Sequence, residues 1–240
     1  MTYYGQMGQD KFLDTVVFSG MKNGVFIDVG AHDGQSLSNT YFLEKEREWT
    51  GLCIEPIPSV FQKLEALRKQ SKCYQVAIDM EEKNKMFLLG KGYPEMFSGL
   101  VNNIDPRHAQ LIQNETRDNG GETEIISVQT KRLDTLLNEQ NIRHVNYMSI
   151  DVEGGEFGVL ESIDFSKVTF DIIEVECNYD DLRPKYHAFF ESKGFIPLLN
   201  LDWDILYIYK HSPYLSKFQS LTLPIKLSIF TPPWKEWKTL

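Results

Sequence analysis

Val25-Phe26-Ile27-Asp28-Val29-Gly30-Ala31-His32-Asp33-Gly34 opens with an apolar run that carries one acid and closes on a pair of glycines. Val25–Val29 has the length and apolarity of a strand buried on both faces of a parallel sheet. A glycine at its end lets the backbone turn sharply and lets a ligand come close, because no Cβ intervenes. Ser36 is placed to cap a helix from Leu37 to about Glu46, whose free N–H groups would face that ligand. The stretch therefore predicts the nucleotide-binding corner of a doubly wound α/β sheet.

Loop chemistry narrows the ligand. A dinucleotide corner uses G-x-G-x-x-G and seats a pyrophosphate on the helix N-terminus. Here His32 replaces the middle glycine, and the loop holds Asp28 and Asp33 with no Lys or Arg. Such a loop repels pyrophosphate and attracts a cation, which fits the ammonium and sulfonium of S-adenosylmethionine. Glu55 ends the next apolar run, Thr50–Ile54, about 20 residues on, where an acid takes ribose hydroxyls. A third strand, Cys73–Ile78, would bring the backbone of Ala77 and Ile78 and the Asp79 side chain beside the adenine. Gln6, Gln9 and Asp10 lie close enough in sequence to the first strand to fold over the cofactor.

Working outward, Phe12–Phe18 reads as a short helix. Pro56 and Pro58 delay the next helix to Ser59, with Phe61, Leu64 and Leu67 on its buried face. Met86–Leu89 and Ile125–Gln129 read as strands, and Arg132–Leu137 opens a helical turn. Lys91–Glu124, with four glycines and two prolines, reads as a long irregular loop, a lid or surface elaboration. Val145–Val152 and Phe170–Glu176 are buried strands. Leu182–Lys193 is a helix stopped by Gly194, and Ile196–Leu199 with Ile205–Tyr209 forms a hairpin. One domain over 1–240 follows: a cap segment at 1–20, a core at 25–210 and a tail at 211–240 rich in aromatics and proline, offering a surface for self-association.

Composition excludes some partners. A formal charge of −9 argues against nucleic acid. Cys53, Cys73 and Cys177 are odd in number and scattered, so reduced thiols in a cytoplasmic protein are expected. There is no basic-then-apolar leader and no long uncharged span, which argues against membrane insertion. The Asn114-Glu115-Thr116 sequon then carries no meaning.

Acids recur at predicted strand ends: Asp28, Glu55, Asp79, Asp151, Glu153 and Glu176. In an open parallel sheet that edge binds ligands. Burial and mutual repulsion would raise some of their pKa values, as a base requires.

Three segments resemble the FkbM-type methyltransferases: Val25–Gly34 with Glu55-Pro56; Thr130-Lys131-Arg132-Leu133-Asp134; and Met148–Glu156. The last is similar to the family's Lys-Ile-Asp-Val-Glu-Gly-x-Glu signature, with Ser149 where the pattern has Lys. Gly5–Asp10 and Ser38-Asn39-Thr40 are similar to one branch. The resemblance spans roughly Gln6 to Tyr209. It implies a class I methyltransferase (Rossmann-like) fold: seven strands, mostly parallel, with an antiparallel last strand. It also implies O-methyl transfer to a hydroxyl of a sugar, glycan or natural product, with cofactor contacts from Ala31, His32, Asn39, Pro56 and Val152 beside the residues already named. A weak hydroxyl nucleophile needs a base. Asp151 is the first choice, with Glu153 and Glu176 as alternatives and a role for Asp151 at the methionine ammonium kept open. The carboxylates can instead hold Mg²⁺, a reading set second because no further acidic cluster at fixed spacing is evident. Two other functions compete: a non-catalytic binding module of the same fold, and a nicotinamide-dependent oxidoreductase.

Overall fold

The structure, a computed structural model, describes residues 1–201 and 203–216. After a short helix, α1 (Gln9–Phe12), which continues as one π turn over Leu13–Val17, come β1 (Val25–Val29), α2 (Tyr41–Arg47), β2 (Thr50–Ile54) and α3 (Pro58–Leu67). Next are β3 (Lys72–Tyr74), β4 (Ala77–Ile78), β5 (Asn84–Lys91), a 3₁₀ turn (Tyr93–Phe97), β6 (Gly99–Leu100), α4 (Pro106–Asn119) and β7 (Glu122–Lys131). The chain closes with α5 (Leu133–Glu139), β8 (His144–Ile150), α6 (Glu156–Glu161), β9 (Thr169–Glu176), a second 3₁₀ turn (Asp180–Leu182), α7 (Arg183–Ser192), β10 (Phe195–Leu201) and β11 (Asp204–Tyr209).

Seven strands form the main sheet in the order β10-β11-β9-β8-β1-β2-β3. β3, β2, β1, β8 and β9 pair in parallel, while β11 runs antiparallel to both β9 and β10. This is the expected mostly parallel sheet with its last strand reversed. Alternation along β1 sorts the core onto two faces. Ile27 and Val29 join α5, α6 and α7 on one face through Leu136, Leu160 and Phe190. Phe26 joins α1 and α2 on the other, with Phe12, Phe42, Leu43 and Trp49. Strand order reverses between β1 and β8, and there the two strand ends touch. Gly30 sits at φ +89°, and a Cβ on it would lie 1.7 Å from the Asp151 carbonyl oxygen. Only glycine fits that crossing.

Several expectations are corrected. Ser36 caps no helix: its N–H and hydroxyl bond to Asp33, and α2 starts at Tyr41 after Thr40. Pro58 does not delay α3 but forms its first turn, where a missing N–H costs nothing. That helix buries Val60 and Leu64, leaving Phe61 and Leu67 half-buried. The third strand is split. β3 pairs with β2, whereas β4 pairs with β7 in a second, four-stranded sheet, β4-β7-β5-β6. Lys91–Glu124 is no loop, for it holds the 14-residue α4. Asp105 caps α4 by accepting the Arg107 N–H, and Pro106 opens it. A third apolar cluster, including Ile57, Val60, Ala77, Phe87 and Leu100, packs the small sheet against α3. The terminal hairpin and the Gly194 stop (φ +83°) match expectation. Most of the tail, residues 217–240, lies outside the described residues. Among the described residues no helix is long and apolar enough to cross a membrane.

Candidate functional site

A two-lobed cleft opens over the carboxyl ends of β1, β2 and β8, where the strand order reverses. The first lobe, of about 760 Å³, is walled by Ile54, Ile57, Val76, Ala77, Ile78 and Phe87, with Glu55 and Pro56 at its side. The second, of about 610 Å³, is polar, with Gln6, Gln9, Asn39, Ser149, Glu174 and Asp204 in its wall. Gly30, His32, Met96 and Asp151 belong to both. Among the described residues, neither wall contains a Lys or Arg.

Most of the expected site residues meet here. Glu55 is buried at the end of β2. One of its oxygens accepts the Ile57 N–H (2.7 Å) and the other the His32 N–H (3.2 Å), which fixes the carboxylate while leaving lone pairs for a ligand. Burial lifts its pKa to about 7. Asp28 lines the second lobe and accepts the Thr40 hydroxyl. Gln9 donates to Asp204 (2.7 Å), and Asn39 donates to Glu174 (3.2 Å) and Ser149 (3.3 Å). Among the described residues, the buried Asn39 Oδ1 makes no hydrogen bond, as a polar atom facing a ligand would. The buried ring nitrogens of His32 make none either, but its Nε2 stands 3.4 Å from a Glu95 oxygen. Gly30, Ala31, Ala77, Ile78, Val152 and Glu153 also line the cleft.

Three expected residues are placed elsewhere. Asp79 pairs with Lys85 and accepts the Met80 N–H, anchoring the small sheet rather than facing an adenine. Asp10 is buried under the N-terminal loop, its carboxylate taking the N–H groups of Tyr4 and Lys11. A Cβ on Gly34 would meet Leu64 and Arg68, so this glycine serves packing.

Asp151 follows β8 at the junction of the lobes. It is open to the cleft yet enclosed by protein, and burial together with the Glu156 charge raises its carboxyl to about 7. Glu153 (φ +57°) turns back beside it. Burial and then the Asp151 charge raise Glu153, and the same two causes raise Glu176. Glu176 stands behind the cleft wall, within 4.8 Å of both. Glu156 is different in kind: its carboxylate accepts the N–H groups of Val152 (3.3 Å) and Gly154 (2.9 Å) and shapes the loop.

Four wall groups escaped the sequence reading. Ser149 and Glu174 sit on paired registers of β8 and β9, a juxtaposition that only the strand order reveals. Asp204 reaches the edge because β11 runs antiparallel, opposite Glu176. Met96 comes from a stretch read as irregular. Glu174, burial and Asp204 aside, had a signal in the Glu174-Val175-Glu176 alternation.

The model of the Methyltransferase FkbM domain matches residues 28–197. Methyltransferase 1 of Beauveria bassiana (strain ARSEF 2860) is 26% identical over 216 residues, covering 81% of this chain and 80% of that protein. Among solved structures, the precorrin-6y C5,15-methyltransferase of Geobacter metallireducens GS-15 has a TM-score of 0.30 at 11% identity, with 81% of this chain and 86% of that chain covered.

Proposed function

The chain belongs to the FkbM methyltransferase family, and on that premise we propose that it carries a methyl group from S-adenosylmethionine to a hydroxyl of a sugar, glycan or natural product. Asp151 carries the reading: a carboxyl poised near neutrality at the junction of an apolar and a polar lobe. When bound, S-adenosylmethionine supplies a methyl made electrophilic by its sulfonium.

The residues fit such a cofactor. Ile57, Ala77, Ile78 and Phe87 offer an apolar slot for an adenine, with Glu55 beside it for the ribose hydroxyls. The acids of the second lobe suit an ammonium, and the unpartnered Asn39 Oδ1 is an acceptor for it. In-line displacement gains most from alignment, which rigid strand ends provide. Asp151 takes the hydroxyl proton, and Glu153 and Glu176 are the next carboxylates in reach. A dinucleotide fits less well, since among the described residues neither wall has a cation for its phosphates. A binding module without turnover would have no use for a base at the junction.

Calorimetric titration with S-adenosylhomocysteine and with NAD separates these readings; binding of the former alone is expected. Glu55→Ala should weaken it by about tenfold or more, the worth of a charge-assisted bond. Labelled cofactor and a panel of glycans and hydroxylated metabolites should then find an acceptor. Asp151→Asn should cut turnover by ~10²–10⁴-fold with little change in cofactor affinity. An equal loss of both would move Asp151 to the methionine ammonium, and NAD binding in place of S-adenosylhomocysteine would end the proposal.

A further inference from the structure

We propose that Asp151, Glu153 and Glu176 are the protein ligands of a divalent cation, held beside the junction of the two lobes, where it takes up the acceptor hydroxyl. Each residue offers one carboxylate oxygen, and the three oxygens lie within 4.8 Å of one another. Oxygens bound to one Ca²⁺ at about 2.3–2.6 Å can stand roughly 5 Å apart, and those on Mg²⁺ at about 2.0–2.1 Å roughly 4 Å. Separations under that ceiling are of the order that ligands of one hard cation show.

Glu176 supplies the independent observation. It is only 9% exposed, yet its Oε2 is buried without a hydrogen-bond partner. A buried carboxylate oxygen left unpaired is costly, and such groups normally find a donor or a metal. Its side-chain contact is with Asp151, and the other charges around it, on Glu153, Glu156 and Asp204, are further carboxylates. Among the described residues, the one basic group within ion-pair reach of the trio is His108, 3.5 Å from Glu153. Its Nε2 also lies 3.0 Å from the Phe97 carbonyl, which engages that nitrogen as a donor. Nearby arginines are occupied: Arg107 pairs with Asp105 and Asp181, and Arg183 with Asp180.

The fold builds the trio deliberately from three positions. Parallel pairing of β8 with β9, through Ile150 and Val175, brings the ends of the two strands side by side. Glu153 is turned in by a left-handed backbone, and Glu156 holds that turn through two N–H groups. An all-oxygen set selects a hard ion, Mg²⁺, Mn²⁺ or Ca²⁺, over zinc or copper. Three ligands leave positions for water and for a hydroxyl. The role, though not the binding, rests on the methyl-transfer reading. The acceptor O–H bond breaks with its proton passing to the Asp151 carboxylate oxygen that the cation leaves free. Its oxygen forms the O–CH₃ bond, and the C–S electron pair stays on sulfur as S-adenosylhomocysteine leaves.

The test is Mn²⁺ titration of the full EDTA-dialysed chain, followed by electron paramagnetic resonance, with S-adenosylhomocysteine affinity measured separately. One Mn²⁺ site per chain is expected, competed by Mg²⁺ or Ca²⁺. Glu176→Gln should weaken it by roughly tenfold or more, since even outer-shell changes at metal sites cost that much. Asp118→Asn, on an exposed acid of α4, should leave it unchanged. Glu176→Gln is to be checked by circular dichroism, and metal-dependent thermal melts of the unaltered chain stand in should it misfold. Turnover should fall with EDTA and return with Mn²⁺. Weak binding of several Mn²⁺ unaffected by Glu176→Gln, or melts unmoved by any of the three ions, would overturn the site. Turnover indifferent to EDTA would overturn the hydroxyl role. Failure of S-adenosylhomocysteine binding with Mn²⁺ binding intact would instead refute the cofactor reading alone.

Discussion

Asp28 and Glu44, buried on one face of the main sheet, and Asp151, Glu153 and Glu176, which grade from exposed to buried at its edge, are two clusters of acids in the same protein. Their surroundings differ. The first pair lies around Arg68, itself 1% exposed, which donates to Glu44 (2.8 Å), Thr40 (2.6 Å) and the Gly34 carbonyl (2.8 Å). Thr40 in turn donates to Asp28, and Ser71 and Gln70 donate to Glu44. Every charge there has an answer within the chain. Among the described residues, the edge trio faces further carboxylates, Glu156 and Asp204, and one histidine. Burial by itself therefore does not mark a site; burial without a partner does.

The largest effect should come from breaking the answered set. Arg68→Met leaves a buried carboxylate and a carbonyl stranded, and should cost about 3–5 kcal/mol in urea unfolding. Asp151→Asn should do the opposite to the cation-free chain, raising its melting temperature at pH 8 by relieving crowded charge. A fall in both would erase the contrast.

Glu55 comes next. Its folded pKa of about 7 lies above the ordinary 4.5. The folded state then holds this proton more tightly than the unfolded one between those values. Its contribution is fully present below about pH 4.5 and is lost as pH rises through 7. Glu55→Gln should remove that share of the decline, at most roughly 3 kcal/mol, from a comparison of urea midpoints at pH 5 and 8. Parallel profiles for the two proteins would show that Glu55 ionises freely.

Asp105→Ala removes the cap of α4, the helix that brings His108 to Glu153, and should cost about 1 kcal/mol. Ser36→Ala should change stability by less than about 0.5 kcal/mol, because Ser36 is exposed and the one bond its hydroxyl donates goes to the half-buried Asp33 carboxylate. A loss near that of Asp105→Ala would restore Ser36 as a cap.

The main sheet was legible because its strands are buried on both faces and so announce themselves as apolar runs bounded by glycine or acid. Glu55 and Asp151 were legible for the same reason, sitting where such runs stop. The small sheet was legible only in part, for Met86–Leu89 and Ile125–Gln129 fall inside β5 and β7 but nothing marked them as a separate sheet. β7 alternates exposed and buried residues only over its last part, and β4 has two residues, too few for a period. α4 was hidden by its polarity, with His108 and Ile112 alone buried, although Asp105-Pro106 is a helix-opening pair. Asp79 misled because the third strand breaks at Gln75-Val76 and changes sheets. Grouping Glu176 with Asp151 and Glu153 needed the neighbour relation of β8 and β9, which no local pattern states.

The reversed strand β11 has a consequence in time. It lies between β9 and β10 but is the last of the three to be synthesised. Until Asp204–Tyr209 has left the ribosome, β9 presents an apolar edge with unpaired N–H and C=O groups, a template for stray pairing. The Gln9–Asp204 hydrogen bond, joining residues 195 positions apart, forms only after that strand is inserted. The second lobe of the cleft is thus finished only when β11 is in place, so a nascent chain halted before residue 204 carries β1 and its glycine turn but not the wall that closes over them.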